Sequence, residues 1–180
     1  MVKTASLHIV LTIMFILLGL AMPLLPAEYA AYAALFCPAL FGTLLCSVLC
    51  GTVFGMITGA AVPVLSWLLY EESGFLPNTL AMTLALIAAG LTAGVIYRQL
   101  TTAIGAAVSG ILAFGIVLAM TKVILYFRAG NYYTTDMFIS EAVLAIWPGL
   151  VTGAIGIPLL TALFRKIGIM RVLRHEKDER

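Results

Sequence analysis

The feature that most constrains this chain is a succession of apolar runs, each near the length of a membrane span, separated by short polar breaks. A bilayer core ~30 Å thick needs about 20 apolar residues per crossing helix, and the sequence supplies that length repeatedly. With 63% hydrophobic and 10% charged residues among 180, apolar side chains must occupy more than one buried face, which excludes a soluble domain. The expected fold is an all-α integral membrane protein of six transmembrane helices. They fall at about Ala5–Leu25, Glu28–Val48, Cys50–Tyr70, Thr79–Tyr97, Ala103–Phe127 and Met137–Ile167. Residues 1–167 then form one transmembrane domain and residues 168–180 a charged, basic tail. The first run follows Lys3 as a signal peptide would, but it is long for one and no A-x-A cleavage site follows, so it reads as a retained helix.

An even number of spans places both termini on one side. Arg165, Lys166, Arg171, Arg174, Lys177 and Arg180 crowd the last stretch, and basic flanks stay cytoplasmic. Lys3 and Arg98 then lie inside, whereas Glu28, Glu71, Glu72 and Asp136 lie in outer loops with Arg128 as the one outer cation. A five-span arrangement, fusing the second and third runs, puts the basic tail outside and is rejected on that ground. Cys37, Cys46 and Cys50 sit in apolar surroundings and read as small buried hydrophobes.

The third run opens with GTVFGMITGAAVPVLS, residues 51–66, in which glycine recurs every fourth position. In lipid no hydrophobic gain drives one apolar helix onto another, so association relies on the close approach that small residues permit. Gly51, Gly55 and Gly59 form one such stripe. A second runs along the fourth helix at Ala81, Ala85, Ala89 and Ala93, with Gly90 and Gly94 adjoining it. Spacing leaves open whether these faces pack within the protein or against a partner subunit.

The order of residues goes further. Three glycines at spacing four, a proline (Pro63) and a serine three residues on (Ser66) resemble the substrate-binding S components of energy-coupling factor (ECF) vitamin transporters. The likeness continues through Pro77 in EESGFLPN, Gly90, Gly94 and Tyr97 at the end of the fourth helix, and Pro148, Gly149 and Pro158 in WPGLVTGAIGIP. It covers residues 47–166. Where many relatives carry a glutamate in the fourth helix this chain has Ala85, and where they carry a glutamine in the last helix it has Gly153.

The resemblance implies an S-component-like bundle, multi-pass in a bacterial plasma membrane, that captures a vitamin or vitamin-like molecule from outside. It implies as partners a transmembrane coupling subunit and two ATPases, which use the ATP; the chain itself needs no cofactor, metal or nucleic acid. Relatives often dock onto the coupling subunit through a small A-x-x-x-A face on the first helix. Thr4, His8 and Thr12 stand at that spacing here and mark the candidate docking face.

Ionisable residues inside the spans are few: His8, Lys122 and Glu141. A lysine at a helix centre costs about 2.5–3.5 kcal/mol on insertion scales, so Lys122 must snorkel, pair or bind something. It shares a helical face with Tyr126. Snorkelling or pairing with Glu141 is the structural reading; the functional one is an outward pocket in which Lys122 meets a ligand carboxylate or carbonyl and Glu141, as a second substrate-binding candidate, faces a ligand bearing both polarities. Trp147 offers a surface for stacking on a flat heterocycle. Trp67, Asn78, Thr79, Thr83 and Tyr133 complete the outward-facing candidates.

Enzyme signatures do not occur: no G-x-S-x-G, no H-E-x-x-H, no paired Cys/His metal spacing and no phosphate-binding G-x-x-x-x-G-K-[ST]. A membrane scaffold gripping partner helices through its small-residue faces is the alternative from another class. A secondary transporter needs matching broken helices in its two halves, and the sequence shows none.

Overall fold

A computed structural model describes residues 2–21, 37–70, 79–128 and 147–166. These residues form six helices: α1 Val2–Leu20, α2 Pro38–Leu49, α3 Thr52–Tyr70, α4 Leu80–Leu100, α5 Ala103–Arg128 and α6 Trp147–Lys166. By length and apolarity α3, α4 and the Ala103–Ile124 part of α5 can each cross a membrane, while α1, α2 and α6 contain shorter apolar stretches. The sequence expectation of an all-helical chain holds for the described residues. Residues 22–36, 71–78, 129–146 and 167–180 lie outside them.

Helix α2 is the hub. It packs against α1, α3, α4, α5 and α6, and around it α1 touches α3, α3 touches α4, α4 touches α5 and α5 touches α6. Nine of its 12 residues are buried, and Leu40, Leu44, Leu45 and Cys46 are sealed almost completely. A helix apolar on all sides suits either a protein core or lipid, and α2 takes the core.

The outside of the bundle is apolar too. Along α5, Ile104, Leu112, Ile116, Met120 and Ile124 recur on one face and each is more than half exposed. The opposite face, Ala107, Ile111, Phe114 and Leu118, is core. A continuous apolar exterior of this kind is poorly tolerated in water and is what lipid solvates.

Several helix limits differ from the sequence expectation, among them α1, which ends at Leu20 rather than Leu25, and α3, which starts at Thr52 rather than Cys50. A continuous second helix from Glu28 to Val48 does not form, because Cys37 adopts left-handed backbone angles (φ 36°, ψ 61°) and α2 starts at Pro38. Proline restricts the residue before it and is accommodated in a helix's first turn, which explains both halves of that break. Helix α1 begins earlier than Ala5, at Val2. Helix α4 runs past Tyr97 to Leu100, where Thr101 turns left-handed (φ 53°) and donates its N–H to Tyr97 O.

Candidate functional site

The chain direction gives the bundle two chemically different ends. Helices α2 and α3 are joined at Gly51, and α4 and α5 at Thr101 and Thr102, and both turns lie at one end, here the turn end. The other is the lysine end.

Close approach dominates the turn half. A Cβ built on Gly59 would stand 2.7 Å from Leu86 O, on Gly90 2.9 Å from Gly55 O, and on Gly94 2.7 Å from Thr52 Cα. Gly55 faces α2 as well, where its Cβ would stand 2.9 Å from Ser47 Cα. The glycine stripes of α3 and α4 thus face each other, antiparallel, inside the protein. Ser47 Oγ donates to Gly90 O at 2.7 Å, tying α2 to α4 across the same layer. Sequence reasoning passed over Ser47; its signal is a lone hydroxyl in an apolar run opposite the glycine row.

Gly51 does not belong to the stripe. Its φ is +106° and nothing stands within 4 Å of where its Cβ would be. It is the turn residue between α2 and α3, chosen for backbone freedom rather than for contact.

Of the candidate docking face on α1, Thr12 and His8 make contacts within the bundle. Thr12 is buried, its hydroxyl donating to His8 O at 2.7 Å and lying 3.7 Å from Cys46 Sγ of α2. The His8 ring stacks on Phe54 of α3, centroids 5.6 Å apart. That face of α1 points into the bundle, while Ile9, Ile13, Met14 and Leu17 point out. The backbone of Thr4 lies in α1; its side chain lies outside what is described.

At the lysine half, helix registers locate the candidates. The pairs Gly59–Leu86, Gly55–Gly90 and Thr52–Gly94 advance on α3 as they retreat on α4; continued outward, this register sets Trp67 across from Thr79. Gly110 of α5 lies between Ala89 and Ala93 of α4, which by the same continuation sets Lys122 across from Thr79. Trp67, Thr79 and Lys122 therefore share one depth on three adjacent helices. Thr79 and Lys122 are both buried, at 8% and 9% exposure. Lys122 continues the inward face of Ile111, Phe114 and Leu118, and among the described residues it is the only buried side chain with a formal charge. Thr83 lies one turn deeper, its hydroxyl donating to Thr79 O at 2.7 Å.

Helix α2 stops short of this depth. Leu44 abuts Gly110, so at 1.5 Å per residue Pro38 stands about 9 Å, and Lys122 about 18 Å, toward the lysine end from that contact. Lys122 thus lies about 9 Å beyond the start of α2. Farther out, Tyr70 Oη donates to Leu20 O at 3.0 Å and fastens α3 to α1.

The remaining candidates are not brought into this group. Asn78, Tyr133 and Glu141 lie outside the described residues. Tyr126 and Trp147 have described backbones, in α5 and at the start of α6, but their side chains lie outside the description. A shallow depression of about 300 Å³ lined by Ala119, Met120, Val123 and Ile124 lies on the outer, apolar face of α5. It carries no polar lining side chain and is separate from the inward face that holds Lys122. No group of three metal-binding side chains occurs among the described residues.

Comparison with protein-family models, curated proteins and solved structures finds no match to this chain.

Proposed function

We propose that this chain is the substrate-binding S component of an ECF-type transporter, multi-pass in a bacterial plasma membrane, that captures a vitamin-like molecule from outside. The observation that carries the reading is Lys122, the one buried charged side chain among the described residues, set at one depth with Thr79 and Trp67. An ionisable residue kept inside a membrane bundle, facing inward, marks a place where something polar is held. The order of glycines and prolines read from the sequence supplies the family, and the three apolar helices long enough to cross a bilayer supply the setting. In this reading a coupling subunit and two ATPases drive the loaded bundle to release its cargo inward, and the chain performs no chemistry of its own.

Purified protein melted against a panel of vitamins and precursors tests this. A ligand at one hundred times its Kd stabilises the folded state by about 2.7 kcal/mol, a shift of several degrees. Capture of a coupling subunit together with ATPases is the second expected result. A flat melting panel combined with capture of a partner that brings no ATPase sinks the transporter reading and leaves the scaffold.

A further inference from the structure

One buried hydroxyl in the lysine half is not used by the fold. Resting on the receptor reading above, we infer that Thr79 contacts the cargo: its Oγ1 hydrogen-bonds a carbonyl, a hydroxyl or a ring nitrogen that the cargo presents at the depth of Trp67. Threonines inside these helices follow one habit. Thr12, Thr43, Thr58, Thr83 and Thr161 each donate the hydroxyl proton to the carbonyl four residues back, at between 2.7 and 2.9 Å, which is how a helix in apolar surroundings accommodates a hydroxyl. Thr79 has no such carbonyl within α4, because that helix begins at Leu80. Nor does it cap the helix. Its backbone is already helical (φ −65°, ψ −39°) and its side chain makes no capping bond, whereas a capping threonine leaves the helical region to reach the first-turn N–H groups.

Thr79 is nonetheless only 8% exposed. Its carbonyl accepts from Thr83, but its hydroxyl makes no bond among the described residues. A hydroxyl taken out of water without a bond is a cost to the fold, and a guest that supplies the bond removes that cost. Burial without a bond is not enough to mark a site, as Thr52 shows. Its Oγ1 is also buried and without a hydrogen-bond partner among the described residues, but it opens α3 in the turn half with Gly94 packed directly on it, and so close a helix contact has no place for a guest. Thr79 stands instead at the depth of Lys122, about 9 Å beyond the start of α2, where the central helix of the turn half does not reach.

The test is Thr79→Val, which removes the hydroxyl and keeps the shape. The full chain, purified in mild detergent, is melted with and without riboflavin, pantothenate, folate and pyridoxine. The compound that raises the melting temperature, or else the small molecule that mass spectrometry finds released on denaturation, is then titrated by calorimetry. The expected signature is a split: without the compound Thr79→Val melts as high as the unaltered protein or higher, while its affinity falls about five- to thirtyfold, as when a buried polar partner is left unpaired. Thr79→Ser, which keeps the hydroxyl, should retain most of the affinity, and Thr52→Val should leave it unchanged. A Thr79→Val protein that melts lower without the compound, or does not fold, shows that the fold itself uses the hydroxyl and overturns the inference. Unchanged affinity in Thr79→Val, or an equal loss in Thr52→Val, overturns it as well and leaves the receptor reading standing. No melting shift with any of the four compounds and no released molecule overturns both.

Discussion

The two halves of the bundle use opposite means. In the turn half, backbone meets backbone: Gly55, Gly59, Gly90 and Gly94 remove side chains where α3 crosses α4, and Ser47 fastens α2 to α4 there. In the lysine half, α2 has ended, and a buried amine and hydroxyl occupy the depth where the turn half has glycine. The lesson is that close backbone packing and buried charge are separated along the helix axes rather than divided between domains. One half is dense because its glycines let backbones meet, and the other carries the buried charge.

That separation can be broken most severely by Gly55→Leu. The new side chain meets the backbone of α2 at Ser47, and neither backbone can yield without moving a helix. A loss of at least about 3 kcal/mol is expected, seen as disappearance of the monodisperse peak in size-exclusion chromatography. A normal peak would mean that the glycine layer is not what fixes the halves together. Gly51→Ala is expected to cost about 1–2 kcal/mol for a different reason, the left-handed backbone with open space around it. Its signature is a lowered melting temperature with ligand affinity, measured at a temperature where both proteins are folded, unchanged. Ser47→Ala removes one interhelical hydrogen bond and should lower stability by about 0.6 kcal/mol, a typical value for such bonds in membrane bundles. Gly115→Ala is the smallest and the control. Open space surrounds that position, so a change between zero and a gain of about 1 kcal/mol from helix propensity is expected in thermal melts. Loss of stability at Gly115 equal to that at Gly51 would erase the distinction between contact glycines, turn glycines and spare ones.

Much of the helical layout was legible because hydropathy and helix length report directly on lipid, and α3, α4 and α5 follow their apolar runs closely. What spacing conveys is narrower. Residues four apart share a face, but nothing in the interval says which way the face turns, so Thr12 was expected outward and lies against Cys46. Nor does the interval say whether the backbone is helical at each member, so Gly51 was placed in a stripe to which only its neighbours belong. The break at Cys37 did carry a local signal in the proline that follows it, overridden by an unbroken apolar run. The centrality of α2 had no signal in a pattern of polar and apolar residues, because every helix here is apolar outside as well as in. At the candidate site, Lys122 was conspicuous by charge alone, whereas its alignment with Thr79 and Trp67 depends on registers that only the packed helices define.

The hub position of α2 also has a bearing on how the protein is made. At about 18 Å its helical part is shorter than a bilayer core, and it emerges from synthesis before four of the five helices that bury it. Its Phe41 rests against Gly156 of α6. Burial of α2 is therefore completed late, when α6 docks against it, and chains interrupted before Trp147 would leave the Phe41 contact unmade.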